Sequence, residues 1–275
     1  MPEVQLPNEL QPLRCADLVR LGKDHDGGYL VSAEDIRAAE CLVGLGLNDD
    51  WSFEADFLRQ NDCPLAAYDG SVGGAVFLRQ VFLATLRPGR LHRLIGHLET
   101  LASYLQVFRG ARRHVRRFVT EPAGPKGVPF SHVSDWIGKR QVFLKVDIEG
   151  AEYGLLDGIT QLSDQLTGLV IEIHDCPQRI DAVCRFVSRL DLALVHVHAN
   201  NFGGVTPEGL PKVIELTFSA HALRGSGVVT DDPTWKPALP HPLDQPNNPG
   251  QPELAIRFDR AGQSRQNGLA ASATT

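Results

Sequence analysis

Six short apolar runs, spaced like the strands of a parallel sheet, constrain the fold of this chain more than any other feature. They are Cys41–Leu47, Pro64–Tyr68, Gln141–Val146, Leu169–Ile173, Leu192–His198 and Val213–Phe218. Most lack a simple alternation of apolar and polar residues, which is typical of strands buried on both faces. Many are separated by segments with a 3.6-residue apolar periodicity, which begin at Leu91, Leu155 and Val183. This alternation predicts a doubly wound α/β sheet with helices on both faces.

Composition and charge exclude several classes of protein. Of the 275 residues, 43% are hydrophobic and 22% are charged, which excludes a largely disordered chain. The formal net charge of −6 argues against a non-specific nucleic-acid binder. No apolar run approaches the roughly 18 residues of a membrane span. We predict a single domain over residues 1–260, with residues 1–40 as a hairpin or flap extension and residues 261–275 as a disordered tail.

The cysteines indicate a reducing compartment. Their number, five, is odd, and no C-x-x-C pair occurs. Neither a disulfide framework nor a zinc knuckle is therefore expected, and the prediction is a cytoplasmic protein.

The first candidate binding segment follows the first apolar run. Gly44 and Gly46 would let the backbone turn tightly and approach a ligand closely. Asp49 stands where a dinucleotide-binding loop has its third glycine, and an acidic residue there would repel a pyrophosphate. Together with Asp50 it suits a ligand with a cationic or neutral group, such as S-adenosylmethionine (SAM). The alternative is a tight strand-to-helix turn with an aspartate cap.

A second candidate follows the second run. Asp69 and Gly70 end the predicted strand a little over 20 residues after the glycines, as one strand–helix–strand unit requires. A carboxylate at that position can accept hydrogen bonds from both hydroxyls of a cofactor ribose. The alternative is an ordinary Asp-Gly turn.

Acidic residues and histidines follow the third and fourth runs. Asp147 is expected at the carboxyl edge of a central strand, next to a methyl donor, with His174 on the neighbouring strand. The two could act as a base and its partner or, together with Asp175, could bind a divalent metal such as Mg²⁺ or Mn²⁺. Glu149 and Glu152 suit the start of the following helix and are predicted to be structural.

Four further residues are candidates for contact with a substrate. His198 and Asn200 end the fifth run, although His198 needs a loop to bring it near Asp147. Asp26 and Tyr29 belong to the segment DHDGGY, which is either a hairpin turn or a flap over the site.

The segment Val142–Ile159, VFLKVDIEGAEYGLLDGI, resembles the signature of the FkbM-type SAM-dependent methyltransferases. The resemblance extends over about residues 15–250, and KVDIEGAE is its most specific part. The glycine loop departs from it, because commoner members carry a D-x-G-A-N type loop where this chain has GLGLNDD. Further matching segments are Leu21–Val31, Val43–Glu54, Leu169–Asp175, Val195–Gly204, Leu210–Phe218 and His241–Pro249.

The resemblance implies a Rossmann-like, seven-stranded sheet whose last strand is antiparallel. It also implies SAM as methyl donor and a hydroxyl acceptor on a sugar or other small molecule. By position, Gly44, Gly46 and Asp50 match the family's SAM-contacting loop, and Asp69 matches its acidic residue after the second strand. Two alternatives remain open: a metal-dependent hydrolase on a Rossmann-like sheet, and a SAM-binding module without catalysis.

Overall fold

The computed structural model describes residues 1–73, 78, 82–83, 91–224 and 237–258. Its strands are β1 (Glu3–Leu6), β2 (Leu18–Leu21), β3 (Tyr29–Ser32), β4 (Cys41–Leu45), β5 (Leu65–Tyr68), β6 (Arg112–Val115), β7 (Phe118–Val119), β8 (Gly127–Val128), β9 (Val142–Val146), β10 (Leu166–Ile173), β11 (Ala193–Ala199), β12 (Ile214–Ser219) and β13 (Ala255–Phe258). The α-helices are α1 (Ala33–Ala38), α2 (Ser52–Gln60), α3 (Leu91–Val107), α4 (Phe130–Ile137), α5 (Glu152–Gln161), α6 (Cys176–Arg189) and α7 (Ala220–Arg224).

The central sheet has seven strands in the order β11-β12-β10-β9-β4-β5-β6. All neighbouring strands pair in parallel except β12, which runs antiparallel to both β10 and β11. The predicted doubly wound α/β fold and its single antiparallel strand are therefore confirmed. The strand order changes direction between β4 and β9, and in open α/β sheets ligands bind at such a switch point.

The sheet is buried on both faces because successive residues of each strand point to opposite sides. Val43 and Leu144 pack in one core with α4, α5 and α6. Leu42 and Phe143 pack in a second core with α1, α2 and the hairpin formed by β2 and β3. This arrangement explains why the apolar runs lack alternation.

Local sequence signals set several helix boundaries. The Ser32 hydroxyl accepts a hydrogen bond from the Asp35 amide and caps α1. Gly138 ends α4 with a φ of 65°, a conformation in which glycine avoids the steric cost of a side chain. Pro177 lies in the first turn of α6, where its missing N–H costs no helical hydrogen bond.

The two ends of the described chain pair with each other outside the main sheet. β1 runs parallel to β13, with Glu3 opposite Ala255 and Leu6 opposite Phe258.

The flap loop, residues 22–28, connects β2 to β3, so the predicted hairpin is present. The predicted tail over 261–275 lies outside the described residues. All five cysteines have free thiols.

Candidate functional site

A cavity of about 330 Å³ opens at the carboxyl ends of β4, β5 and β9. Among the described residues that line it, six are acidic and two are lysines, and these residues set the charge of the described lining. Both lysines have partners: Lys23 pairs with Asp50 at 3.0 Å, and Lys145 lies 3.9 Å from Glu54. The cavity is therefore negatively charged. The acidic residues that line it are Asp26, Asp49, Asp50, Asp69, Asp147 and Glu149.

Gly46 brings the ends of β4 and β9 together at the floor of this cavity. Its φ is +85°, and a Cβ atom built on it would lie 1.7 Å from the carbonyl oxygen of Asp147. The Asp147 amide in turn donates to the Leu45 carbonyl at 2.8 Å. A side chain at position 46 would therefore separate the two strand ends.

Gly44 and Gly70, both predicted to contact a cofactor, occupy other places. Gly44 lies within β4, and an added Cβ would meet the carboxylate of the fully buried Glu54 at 2.6 Å. Gly70 leaves room for the ring of Phe118, which itself lines the cavity. Neither glycine is among the residues that line the cavity, and each makes space for a neighbouring side chain, so their contact with a cofactor stays a prediction.

Asp69 organises the loop that follows β4. Its Oδ2 accepts hydrogen bonds from the amides of Leu47 and Asn48, at 2.9 and 2.8 Å. Its Oδ1 accepts from the amide and hydroxyl of Ser71, at 2.6 and 2.5 Å. Burial alone would raise the pKa of Asp69, but these four hydrogen bonds hold it below its ordinary value. The four bonds saturate a carboxylate, so in this structure Asp69 holds the loop and offers no free lone pair to a ribose.

We expect Asp69→Asn to lower the free energy of unfolding by about 1.5–3 kcal/mol, because in either orientation the amide nitrogen would face at least one backbone N–H donor in place of a charged acceptor. Urea unfolding followed by circular dichroism measures the loss. Asp49→Asn is the matched control, since Asp49 lines the same cavity but is exposed and makes none of these bonds. Equal stability losses in the two variants would contradict the loop-organising role of Asp69.

Asp147 lies at the end of β9 in a buried group of acidic residues. The Tyr29 hydroxyl lies 3.1 Å from Asp147 Oδ2 and 3.2 Å from Glu172 Oε2. Burial raises the pKa of Asp147, although Lys145 and the Tyr29 hydroxyl oppose the shift. Burial and the charge of Asp147 raise the pKa of Glu172 well above its ordinary value. Carboxyls that titrate closer to neutrality are suited to proton transfer.

His174 follows β10 and is held by two glutamates. Its Nδ1 lies 2.7 Å from Glu152 Oε1, and its Nε2 lies 3.3 Å from Glu149 Oε2. Burial lowers the pKa of His174, but the two glutamates outweigh it and raise the pKa above its ordinary value. The donor atoms of Asp147, Glu149 and His174 lie within 4.8 Å of one another.

Asp175, the third predicted metal ligand, is not part of this group. It has a left-handed backbone with a φ of 49°, precedes α6 and is exposed. Glu149 takes its place beside Asp147 and His174, because its own positive φ of 53° turns the chain after β9. Sequence reasoning assigned Glu149 a helix-end role, and a left-handed non-glycine residue cannot be read from sequence alone.

The predicted substrate residues fall into two groups. Asp26 lines the cavity, and Tyr29 lies beneath it against Asp147. Asn200 is buried and donates to Glu172 Oε1 at 2.9 Å, so it helps to fix the position of Glu172 within the acidic group. His198 does not line the cavity: it is buried between Glu215 at 3.1 Å and Glu253 at 3.2 Å. Contact between His198 and a substrate stays a prediction, which these two glutamate contacts do not support.

The C-terminal strap, residues 241–253, covers this edge of the sheet; the sequence singled out its segment His241–Pro249 but did not predict its contacts. Asn247 in the strap donates to Glu215 Oε1 at 2.7 Å and lies 3.4 Å from Asp26 Oδ1. Gln245 accepts a hydrogen bond from the His25 amide at 2.8 Å. The strap thus fixes the flap loop. Its only sequence signal was the run HPLDQPNNP, whose partners lie far away along the chain.

Comparisons with known proteins leave the family open. No family model matches the chain, and no curated protein matches it. It is similar to solved structures of an rRNA methylase from Streptococcus thermophilus (13% identity, 68% of this chain and 90% of that chain, TM-score 0.36) and of precorrin-6y C5,15-methyltransferase from Geobacter metallireducens (11%, 68% and 84%, 0.35). A fibrillarin/Nop5p complex aligns similarly (11%, 66% and 73%, 0.35). At these scores the likeness carries no argument about activity.

Among the described residues, no helix is long and apolar enough to cross a membrane. Fold and site together define a doubly wound α/β protein with an acidic ligand cavity at the switch point of its sheet.

Proposed function

We propose that this chain is a SAM-dependent O-methyltransferase of the FkbM type, which methylates a hydroxyl of a small-molecule or sugar acceptor. The observation that carries the proposal is the acidic cavity at the carboxyl ends of β4, β5 and β9. A nucleotide cofactor with a pyrophosphate would meet repulsion there, whereas a sulfonium cation would be attracted. The cavity volume of about 330 Å³ is within the range of small-molecule sites.

The residues present fit SAM in three ways. Gly46 has no side chain where the loop after β4 turns, so a ligand can approach the backbone closely. Phe118 and Val119 contribute apolar groups to the cavity lining, which suits an adenine ring. Asp50 lines the cavity and forms an ion pair with Lys23 of the flap loop. A cofactor bound beside Asp50 would therefore affect the position of the flap loop.

The acceptor is assigned to the side of the cavity where Asp26 and Asp147 lie, above Tyr29. SAM supplies an electrophilic methyl group there, and the electron pair of the broken C–S bond stays on sulfur. The acceptor hydroxyl must lose its proton as its oxygen forms the new bond to carbon. Asp147 and His174 are the groups we assign to that proton loss, as base or as metal ligands. Holding the hydroxyl in line with the C–S bond supplies much of the remaining rate.

The site surroundings favour a small acceptor over nucleic acid. The cavity lining is acidic, and the formal net charge of the chain is −6, so a phosphate backbone would be repelled. Five free cysteines, each buried or half-buried, suit a reducing compartment, and we assign the protein to the cytoplasm on that basis.

Calorimetric titration of metal-free protein with SAM and with its demethylated product tests the proposal. We expect binding of both in the micromolar range, with a rise in Tm, because a ligand that binds only the native state stabilises it. No heat and no Tm shift at millimolar ligand would overturn the methyltransferase proposal and favour the hydrolase hypothesis. Binding without turnover of any hydroxyl acceptor would favour a non-catalytic SAM-binding module.

A further inference from the structure

We propose that Asp147, Glu149 and His174 form a binding site for one divalent cation of the Mn²⁺ or Mg²⁺ class. The catalytic role of this ion rests on the proposed function, but the existence of the site does not. The three donor atoms come from the ends of two neighbouring strands and lie within 4.8 Å of one another. Two carboxylates and one imidazole are a ligand set that first-row divalent ions accept.

The distances suit a metal of ordinary size. Ligands about 2.1 Å from an ion are separated by about 3.0–3.4 Å when they occupy adjacent positions. His174 Nε2 and Glu149 Oε2 already lie 3.3 Å apart. Glu149 is 84% exposed at its side chain, so it can rotate to close the remaining distance to Asp147.

An independent observation supports the site: the orientation of His174. A histidine that binds a metal through one nitrogen commonly has its other nitrogen fixed by a carboxylate. Here Nδ1 lies 2.7 Å from Glu152, a fully buried side chain, which leaves Nε2 directed at Glu149. Among the described residues, the second oxygen of Glu152 has no hydrogen-bond partner, so the charge of this buried carboxylate beside His174 is only partly compensated.

The charge balance around His174 also favours a cation. Four carboxylates lie close to one imidazole, and in the described ion pairs three of them, Glu149, Glu152 and Glu172, share His174 as their partner. Lys145 lies 3.9 Å from the buried Glu54, and its single charge acts also on Asp147 and Glu172, so it does not balance all four carboxylates. A divalent ion would neutralise this surplus. The carboxylates in question are Asp147, Glu149, Glu152 and Glu172.

The consequence for the reaction is a way to ionise the acceptor. A hydroxyl bound to a divalent ion loses its proton far more readily than a free hydroxyl does. The Glu149 side of the group is open to solvent, so the proton of the acceptor hydroxyl can pass to water. The acceptor oxygen keeps the electron pair, which attacks the methyl carbon. No oxidant or reductant is needed.

Titration of the metal-free full-length chain with Mn²⁺ alone, followed by calorimetry and electron paramagnetic resonance, tests the site without SAM or acceptor. We expect one ion per chain and a spectrum with coupling to one imidazole nitrogen. Glu149→Gln should weaken binding at least 10-fold, and His174→Ala should remove the nitrogen coupling. Glu152→Gln should weaken binding by roughly 10–100-fold, as loss of an orienting partner does.

Asp175→Asn is the matched control, because Asp175 is an exposed carboxylate beside His174 that is not part of the group. It should bind Mn²⁺ as the wild type does. No Mn²⁺ binding by a folded wild-type chain, or an equal loss in Asp175→Asn and Glu149→Gln, would overturn the metal site. SAM binding measured on the same samples separates the two proposals: SAM binding without Mn²⁺ binding overturns only the metal site, and the reverse result overturns only the methyltransferase.

Discussion

Asp147→Asn is expected to reduce methyl transfer by about 10²-fold or more while leaving the fold and SAM binding intact. Asparagine keeps the size of the side chain and one acceptor oxygen for the Tyr29 hydroxyl, 3.1 Å away in the wild type. It loses the negative charge that would accept a proton or hold a cation. Turnover is measured as release of demethylated SAM with a panel of hydroxylated small molecules and sugars, on the acceptor that the wild type methylates.

Two controls show whether the loss of turnover in Asp147→Asn is specific to the chemical step. Calorimetry with SAM shows that the variant still binds the methyl donor, and Asp175→Asn, outside the group, should retain full turnover. A chelator separates the two roles of Asp147: loss of wild-type activity that Mn²⁺ restores indicates a metal, and an unaffected rate indicates a base. Full activity of Asp147→Asn on a genuine acceptor would place the chemistry elsewhere.

Gly46→Ala is expected to cost about 2–6 kcal/mol of stability, the sum of a strained backbone and an overpacked contact. The left-handed φ of +85° disfavours alanine, and its Cβ would lie 1.7 Å from the Asp147 carbonyl oxygen. Many domains of this kind have a total stability of only about 5–15 kcal/mol, so adding this one methyl group would remove a large fraction of the free energy of unfolding. Denaturant unfolding measures the change.

Gly138→Ala separates the two contributions. Gly138 also has a positive φ, +65°, but no neighbouring atom in the described part of the chain lies within 4 Å of an added Cβ. We therefore expect it to lose only the backbone part, about 1–3 kcal/mol. If the two variants lost the same stability, the close approach of β4 and β9 at Gly46 would not constrain the fold.

The sequence predicted the central sheet well because buried parallel strands are continuous apolar runs. It did not predict β6, because the segment RRHV is charged and half-buried at the edge of the sheet. Nor did it predict that β1 pairs with β13, since neither segment has a distinctive pattern and they meet only after folding. Edge and terminal strands depend on partners that a local pattern does not reveal.

The site was predictable where it depends on strand ends. Gly46, Asp69 and Asp147 all lie at the cavity, as expected of residues that follow parallel strands. The direction of each side chain was not predictable. Glu149 faces His174 and Asp175 does not, although both have a left-handed backbone next to a strand end.

The pairing of the chain termini has a consequence for biosynthesis. The strap that fixes the flap loop leads directly into β13, which pairs with β1, so residues more than 200 positions away along the chain hold in place the loop that contributes Lys23, Asp26 and Gly27 to the cavity. A chain emerging from the ribosome can close its seven-stranded sheet once Ser219 is available, but the contacts that fix the flap loop require the strap and β13, up to Phe258. These contacts are thus the last part of the described molecule to assemble, and a prematurely released chain would carry the sheet with an unsupported flap loop.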